Sequence, residues 1–292
     1  TRPWKDTDAA TASALADSFT YSYEPVDAAD RDEMDDGWKE YLYRTVTRTM
    51  AGQVVGRTYY SHTRTGEVSY MVQERVTTPT AAYGDPGNER TVLAYHETGT
   101  NTVAGNRLKS RTYPDGRLDS CFYDYGTFTT NANPALNTFT PGVGRFVRAM
   151  VVHGTVSGLV AGKSQAEVSV EDEQGRVVWR ETRVYSGRVL ARIGWEAYTL
   201  DGEGHVVATV RSDGTVSEGE YTCCGAEWQV NATGERTTFV YDALQRLVQS
   251  AKEGVAAGTY PEQPPVVTEY VRDAAGQLLQ QTHFRICRLR DE

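Results

Sequence analysis

The stretch Phe239-Val-Tyr-Asp-Ala-Leu-Gln-Arg-Leu247 recurs as Tyr270-Val-Arg-Asp-Ala-Ala-Gly-Gln-Leu278 and, more loosely, as Tyr198-Thr-Leu-Asp-Gly-Glu-Gly-His-Val206. Each copy is a short β-prone run, an Asp, two small or turn residues, a polar residue and a new apolar run. A weaker copy is Asp172-Glu-Gln-Gly-Arg-Val177, whose preceding Val168 and Val170 sit one place out of step. Gly204, Gly225 and Gln245 mark one class of turn, at steps of 21 and 20 residues. Ser212-Asp-Gly214, Ala232-Thr-Gly234 and Lys252-Glu-Gly254 fall between them, and Gly105, Gly116 and Gly126 repeat the ten-residue step upstream.

Internal repetition at a fixed period is the signature of a repeat architecture. Asp-Gly and similar turns supply the positive φ that tight reversals demand. The runs between them, such as Thr237-Phe-Val-Tyr and Val206-Val-Ala-Thr-Val, are rich in β-branched and aromatic residues. No window of the body carries a convincing 3.6-residue period. The expected fold is all-β: successive antiparallel hairpins with a repeat of about 20 residues, forming a strongly curved sheet or partial shell. Only residues 8–19, alanine-rich with Thr7 or Thr11 as a cap, suggest a helix. Residues 131–144, 254–265 and 83–88 read as loops from their Pro and Gly content. The chain divides into an acidic head (1–36), a less regular β region (37–145) and the repeat-bearing sheet (146–292), all parts of one continuous sheet.

The quoted copies resemble the YD repeats of the Rhs family, named for Tyr-Asp followed by Gly-Arg-Leu. Tyr241-Asp242 with Arg246-Leu247 is the nearest copy, with Gln245 where Gly is usual. Gly116-Arg-Leu118, Gly175-Arg-Val177, and Asp273 with Gly276-Gln-Leu278 are partial copies. The resemblance covers residues 165–285, is looser over 90–130, and is poor before residue 60. In that family, which includes Rhs proteins, cocoon subunits of toxin complexes and teneurins, such repeats form long sheets that wind into hollow shells. The resemblance therefore implies an architectural role, although the family's shells are built from far longer chains. The self-cleaving aspartyl motif that follows many family shells has no match, so no catalytic residue is carried over. The repeat residues Tyr198, Asp201, Gly204, Asp172, Gly175, Tyr241, Asp242, Tyr270 and Asp273 are given structural jobs: aromatic packing across hairpins and carboxylate capping of turn amides.

The net charge of −9 argues against a nucleic-acid partner, which needs a basic face. Residues 1–36 hold ten acids against three bases, −7 of that total, so the remainder is close to neutral. No apolar run approaches the ~18–20 residues that cross a bilayer as a helix, and no membrane span is expected. The chain opens Thr1-Arg-Pro-Trp4 without Met or leader, which suggests a removed leader or a piece of a longer protein, secreted or at the cell surface. Cys121, Cys223, Cys224 and Cys287 are too few and too scattered for a disulfide scaffold, and their spacing suits no zinc site. The acidic run of residues 30–37 fits no calcium-loop register, because Met34 falls on a ligand position. No cofactor is expected.

Partners and chemistry remain to be assigned. A sheet with two open ends presents strand edges that bind another chain unless covered, so copies of itself or the rest of a larger shell are the first expected partners. Trp179, Trp195 and Trp228, each on an expected strand, form a possible glycan-stacking set; the alternative is that they fill an inner face. Sequence motifs for a serine nucleophile, a phosphate loop or a zinc protease are missing. His153 and His205 lie in strand-like runs and read as structural. The remaining enzymatic reading is a polysaccharide-acting site of Tyr, His and Arg assembled from distant residues.

Overall fold

The computed structural model describes residues 17–25, 41–65, 68–96, 103–223, 225–254 and 264–285. Trp4, Trp38, the acidic run 30–37, Cys224, Cys287 and residues 255–263 of the third loop lie outside the described residues. The strands begin with β1 (Asp17–Pro25), β2 (Tyr41–Met50), β3 (Gln53–Thr65), β4 (Val68–Arg75), β5 (Glu89–His96), β6 (Leu108–Thr112) and β7 (Arg117–Thr129). There follow β8 (Thr138–Pro141), β9 (Phe146–Thr155), β10 (Gln165–Glu171), β11 (Val177–Tyr185) and β12 (Leu190–Leu200). The series closes with β13 (Val206–Arg211), β14 (Val216–Thr222), β15 (Gly225–Val230), β16 (Arg236–Tyr241), β17 (Leu247–Lys252), β18 (Val266–Arg272) and β19 (Leu278–Arg285).

All nineteen belong to one hydrogen-bonded sheet. Consecutive strands pair antiparallel from β1 to β8 and again from β12 to β19. The all-β hairpin architecture read from the turn spacing is therefore the one the chain adopts.

Two local expectations are corrected. The described end of the expected helix, residues 17–19, is strand: β1 pairs with β2 from Asp17↔Met50 onward. The run Phe19-Thr-Tyr-Ser-Tyr23 alternates aromatic and hydroxyl residues, a period of two that outweighs the alanines before it. Residues 131–144 are not simply loop. Pro134–Leu136 form a single 3-10 turn capped by the Asn133 side chain, and β8 pairs with Gly126–Thr129 of β7. Glycine makes that pairing possible. A Cβ on Gly126 would lie 2.3 Å from the Thr140 carbonyl oxygen, and one on Gly144 only 1.9 Å from that of Gly126.

The chain forms two compact units. One comprises Thr1–Asp124, Ala149–Ala166 and Val184–Ala191; the other comprises Tyr125–Arg148, Glu167–Arg183 and Arg192–Glu292. The first has its core where residues 76–88 fold over β3 and β4. Tyr59, Val76 and Ala81 are buried, with Tyr43 and Tyr83 packed against them. Tyr43 and Tyr83 stack at 4.5 Å and each meets Tyr59 edge-on, while the Tyr59 hydroxyl donates to the Ala81 carbonyl at 3.0 Å. Glu74, 3% exposed, anchors the same segment by accepting from the Gly84 amide and the Asn88 side chain, both at 2.6 Å.

The second unit is built round Phe128, Val170 and Trp179, with Phe139, Phe146, Val178, Trp195 and Ala197 packed against them. Aromatic rings offer large apolar area at fixed geometry. Trp179 and Trp195 stack at 5.2 Å and 11°, and Phe128 fills the next position at 6.0 Å from Trp179.

Candidate functional site

Among the described residues, seven turns share one backbone pattern. The first residue's amide donates to the carbonyl four residues on, and the fourth residue's amide donates back to the first carbonyl. This holds from Tyr113, Asp172, Asp201, Arg211, Asn231, Asp242 and Asp273. The fourth residue has positive φ in every case: Gly116, Gly175, Gly204, Gly214, Gly234, Gln245 and Gly276. This is a hairpin loop closed by a left-handed residue, the geometry that matches the twist of the flanking strands. Three of these hairpins carry a second irregularity two residues further along, a register shift at Thr199/Leu200, Val240/Tyr241 and Val271/Arg272 that leaves Val207, Val248 and Leu279 without a residue opposite. Gln245 therefore does a glycine's task at φ +59.

In four of these turns the first residue is the repeat Asp, and its carboxylate bonds the turn amides. Asp242 Oδ1 accepts from the Leu244 and Arg246 amides at 2.9 Å, and its Oδ2 accepts from Arg246 Nε at 2.7 Å. Asp172 makes the same set with the Gln174 and Arg176 amides and Arg176 Nε. At Asp201 a histidine replaces the arginine: His205 Nδ1 lies 2.8 Å from Oδ2, and three turn amides donate to Oδ1. Asp273 keeps one such bond, from the Gln277 amide at 2.8 Å. Donors converging on a carboxylate favour its charged form. The amide of Arg246 above all, and then its guanidinium, hold Asp242 below the ordinary 3.8. Burial pushes Asp172 up, but the Arg176 amide and guanidinium and the Gln174 amide outweigh it and leave the carboxyl lowered.

The arginines also reach the next turn. Arg246 Nη1 donates to the Asp273 carbonyl at 3.1 Å, and Arg176 lies where a Cβ on Gly204 would be 2.9 Å from its Cδ. Arg272 Nη1 returns to Gly276 O at 3.1 Å, and its Nε donates to Leu247 O at 3.4 Å. The result is a ladder of turns in which the motif residues bond within and between repeats. Two repeat tyrosines reach the preceding strand and the third bonds along its own. Tyr241 donates to the Ala226 carbonyl, Tyr270 lies 3.4 Å from Ser250 Oγ, and Tyr198 bonds the Glu196 carboxylate. Burial first, then Glu196, pushes the Tyr198 phenol up to about 12. Leu278, by contrast, is 48% exposed on the terminal strand.

The tryptophans part company. Trp179 is 1% exposed, its ring against Trp195 and Phe128 and its Nε1 donating to Glu181 at 3.0 Å. Trp195 is its stacking partner. Trp228 is half-buried on the face that also carries Glu220 and Thr238, bonded to Glu220 at 2.9 Å and covered by the Arg236 guanidinium at 4.5 Å. Trp179 is too buried to join the other two in an exposed stacking surface.

A Tyr/His/Arg grouping does occur, in the first unit. Tyr113 donates to Asp119 Oδ2 at 2.8 Å, His153 Nδ1 lies 2.8 Å from Oδ1, and Arg111 donates to the Tyr113 hydroxyl at 3.4 Å. The Tyr113 proton and both Asp119 oxygens are committed inside the cluster, so what it offers is one oriented imidazole. Cys121 is buried and Cys223 exposed, and burial pushes the Cys121 thiol up. Sequence reading did not find Asp119 or Tyr113 as partners of His153, since only strand pairing brings positions 34 and 40 residues apart together. It also did not find a concavity across β13–β16, whose residues alternate along strands that look ordinary one at a time.

No protein-family model matches the chain, and no curated protein matches it. Among solved structures it is similar to TcdB2-TccC3, with 13% identity and a TM-score of 0.36, over 91% of this chain and 13% of that one. TcdB2-TccC3-TEV gives 11% identity and a TM-score of 0.27, over 92% and 18%. The chain thus spans less than a fifth of the length of these proteins.

Proposed function

We propose that this chain is an architectural wall segment: a YD-repeat-like sheet that extends by adding strands, from a second copy of itself or from the rest of a larger secreted or surface shell. The observation that carries the reading is the bond from Arg246 Nη1 to the Asp273 carbonyl. It ties one turn to another through the motif's own side chain, so a residue of the repeat serves propagation of the sheet. Repeat arrays of this kind are stabilised by neighbour interfaces and need capping at their ends.

The end of the series supports extension. β19 is exposed at seven of its eight positions, and Leu279 and Phe284 are 66% and 47% exposed. Exposed apolar terminal strands recruit further strands. Sedimentation velocity over a range of concentrations tests the reading. The wild type is expected to form species larger than one chain, and Leu279→Lys, which puts a charge on the terminal strand, is expected to reduce them. Monomer at every concentration, or assembly indifferent to Leu279→Lys, would count against extension through β19.

A further inference from the structure

Within the second unit, β13–β16 form a concavity of about 400 Å³ lined by Arg211, Tyr221, Gln229, Asn231, Glu235 and Phe239 among others. Its size lies in the range of small-ligand sites, about 300–1,000 Å³. The register explains why these residues meet. Thr209↔Ser217, Gly219↔Gln229 and Gln229↔Thr237 are direct cross-strand partners, so they point to one face, while Glu220, Trp228 and Thr238 take the other. Gly219 sits mid-strand in this row and contributes no side chain to fill the hollow.

The polar groups are held before any ligand arrives. Arg211 is fixed by Glu196 at 3.1 Å and by Ser217 at 3.0 Å. Tyr221 is stacked on His205 at 4.7 Å and 11°, and its hydroxyl accepts from Gln229 at 3.3 Å. Glu235 is paired with Lys252 at 2.8 Å and with Asn231 at 2.7 Å. Preorganisation of this kind lowers the entropy lost on binding.

We propose that this concavity binds a neutral saccharide. Arg211 is paired with Glu196 and Glu235 with Lys252, and the third charged lining residue, Glu218, belongs by register to the row of Glu220 on the other face, so the charged side chains turned to the hollow are neutralised in pairs. Hydroxyl, carboxamide and guanidinium groups surround it, and a purely apolar ligand would strand them without partners. Two aromatic rings, Tyr221 and Phe239, supply apolar surface beside those groups. A ligand with many hydroxyls, apolar C–H faces and no charge matches all three features. Gln229, exposed at the rim, spends one amide hydrogen on Tyr221 and keeps its carboxamide oxygen and second hydrogen for such a ligand. The site is independent of assembly, since every residue in it comes from one unit of one chain.

The test is calorimetric titration of the full chain with maltohexaose, cellohexaose and chitohexaose, and with hexagalacturonate as the charged control. At least one neutral hexasaccharide is expected to bind with a dissociation constant of ~1 mM or tighter. Gln229→Ala is expected to weaken it about tenfold, the scale of one hydrogen bond lost. Tyr221→Phe should weaken it while preserving the ring, and Val240→Thr on the opposite face should leave it unchanged. The proposal is overturned by any of three results: no neutral sugar binding at ~10 mM, binding unaffected by Gln229→Ala with the fold intact by circular dichroism, or preference for hexagalacturonate.

Discussion

The Tyr241 hydroxyl lies 2.6 Å from the point where a side chain would begin on Gly225. Gly225 has φ +138, and the same hydroxyl donates to the neighbouring Ala226 carbonyl at 3.1 Å. The repeat tyrosine of one hairpin is thus seated on the bare backbone of the hairpin before it. Its place and the glycine's conformation depend on each other. Gly225→Ala is expected to destabilise the protein by about 1–3 kcal/mol, from a disfavoured φ and a displaced ring together. Urea unfolding of the two proteins measures it; an unchanged midpoint would mean that Tyr241 does not occupy this seat.

Gln245 stands at φ +59 where the related turns have Gly. A left-handed conformation costs a residue with a Cβ about 1–2 kcal/mol, and glycine avoids most of that. Gln245→Gly should therefore raise stability, by up to about 1 kcal/mol after the unfolded chain's extra freedom is counted. Thermal unfolding checks the sign, and a lowered Tm would show that the Gln245 side chain matters more than its backbone.

Trp179 and Trp228 separate core from surface. Trp179→Ala removes a ring packed against Trp195 and Phe128 and should cost about 3–5 kcal/mol. Trp228→Ala, at a half-buried position braced by Glu220 and Arg236, should cost clearly less. Chemical denaturation of both variants gives the comparison, with equal losses contradicting the burial described.

Tyr198 predicts an alkaline transition. Its phenol is raised from 10.0 to about 12 in the folded state, so the folded protein holds that proton more tightly than the unfolded chain. The stabilisation is complete below pH 10.0 and is lost as pH rises through about 12. Tyr198→Phe should flatten the fall in stability across that window, and phenolate absorbance should show one fewer late-titrating tyrosine.

How much of this was legible follows from the range of each interaction. The hairpin order could be read because the turns write their own signals: four of the seven open on Asp, and each has a left-handed position, usually Gly, three residues after its first residue and then a polar residue. Gln245 was recognisable as a turn residue only through the period, since its own type does not favour positive φ. The arginine following the turn glycine was visible as a motif letter, but its bond to another turn was not, because Arg246 and Asp273 are 27 residues apart. The helix expected over residues 8–19 gave way at its described end because strand β2 was available to pair, a tertiary effect that local propensity does not contain. The aromatic core was underdetermined for the same reason: Trp179 and Trp228 both occupy strands, and which face each takes is decided by register. Tyr221, Gln229 and Phe239 meet only across strands, and the Tyr113–Asp119–His153 cluster depends on β6, β7 and β9 lying side by side.

The central claim is that the hairpin series extends by joining further strands. Light scattering at several concentrations, with negative-stain electron microscopy of the same sample, addresses it most directly. The account predicts a mass that rises with concentration and particles or fibres larger than one chain. A single-chain mass at every concentration, with only small compact particles on the grid, would contradict it.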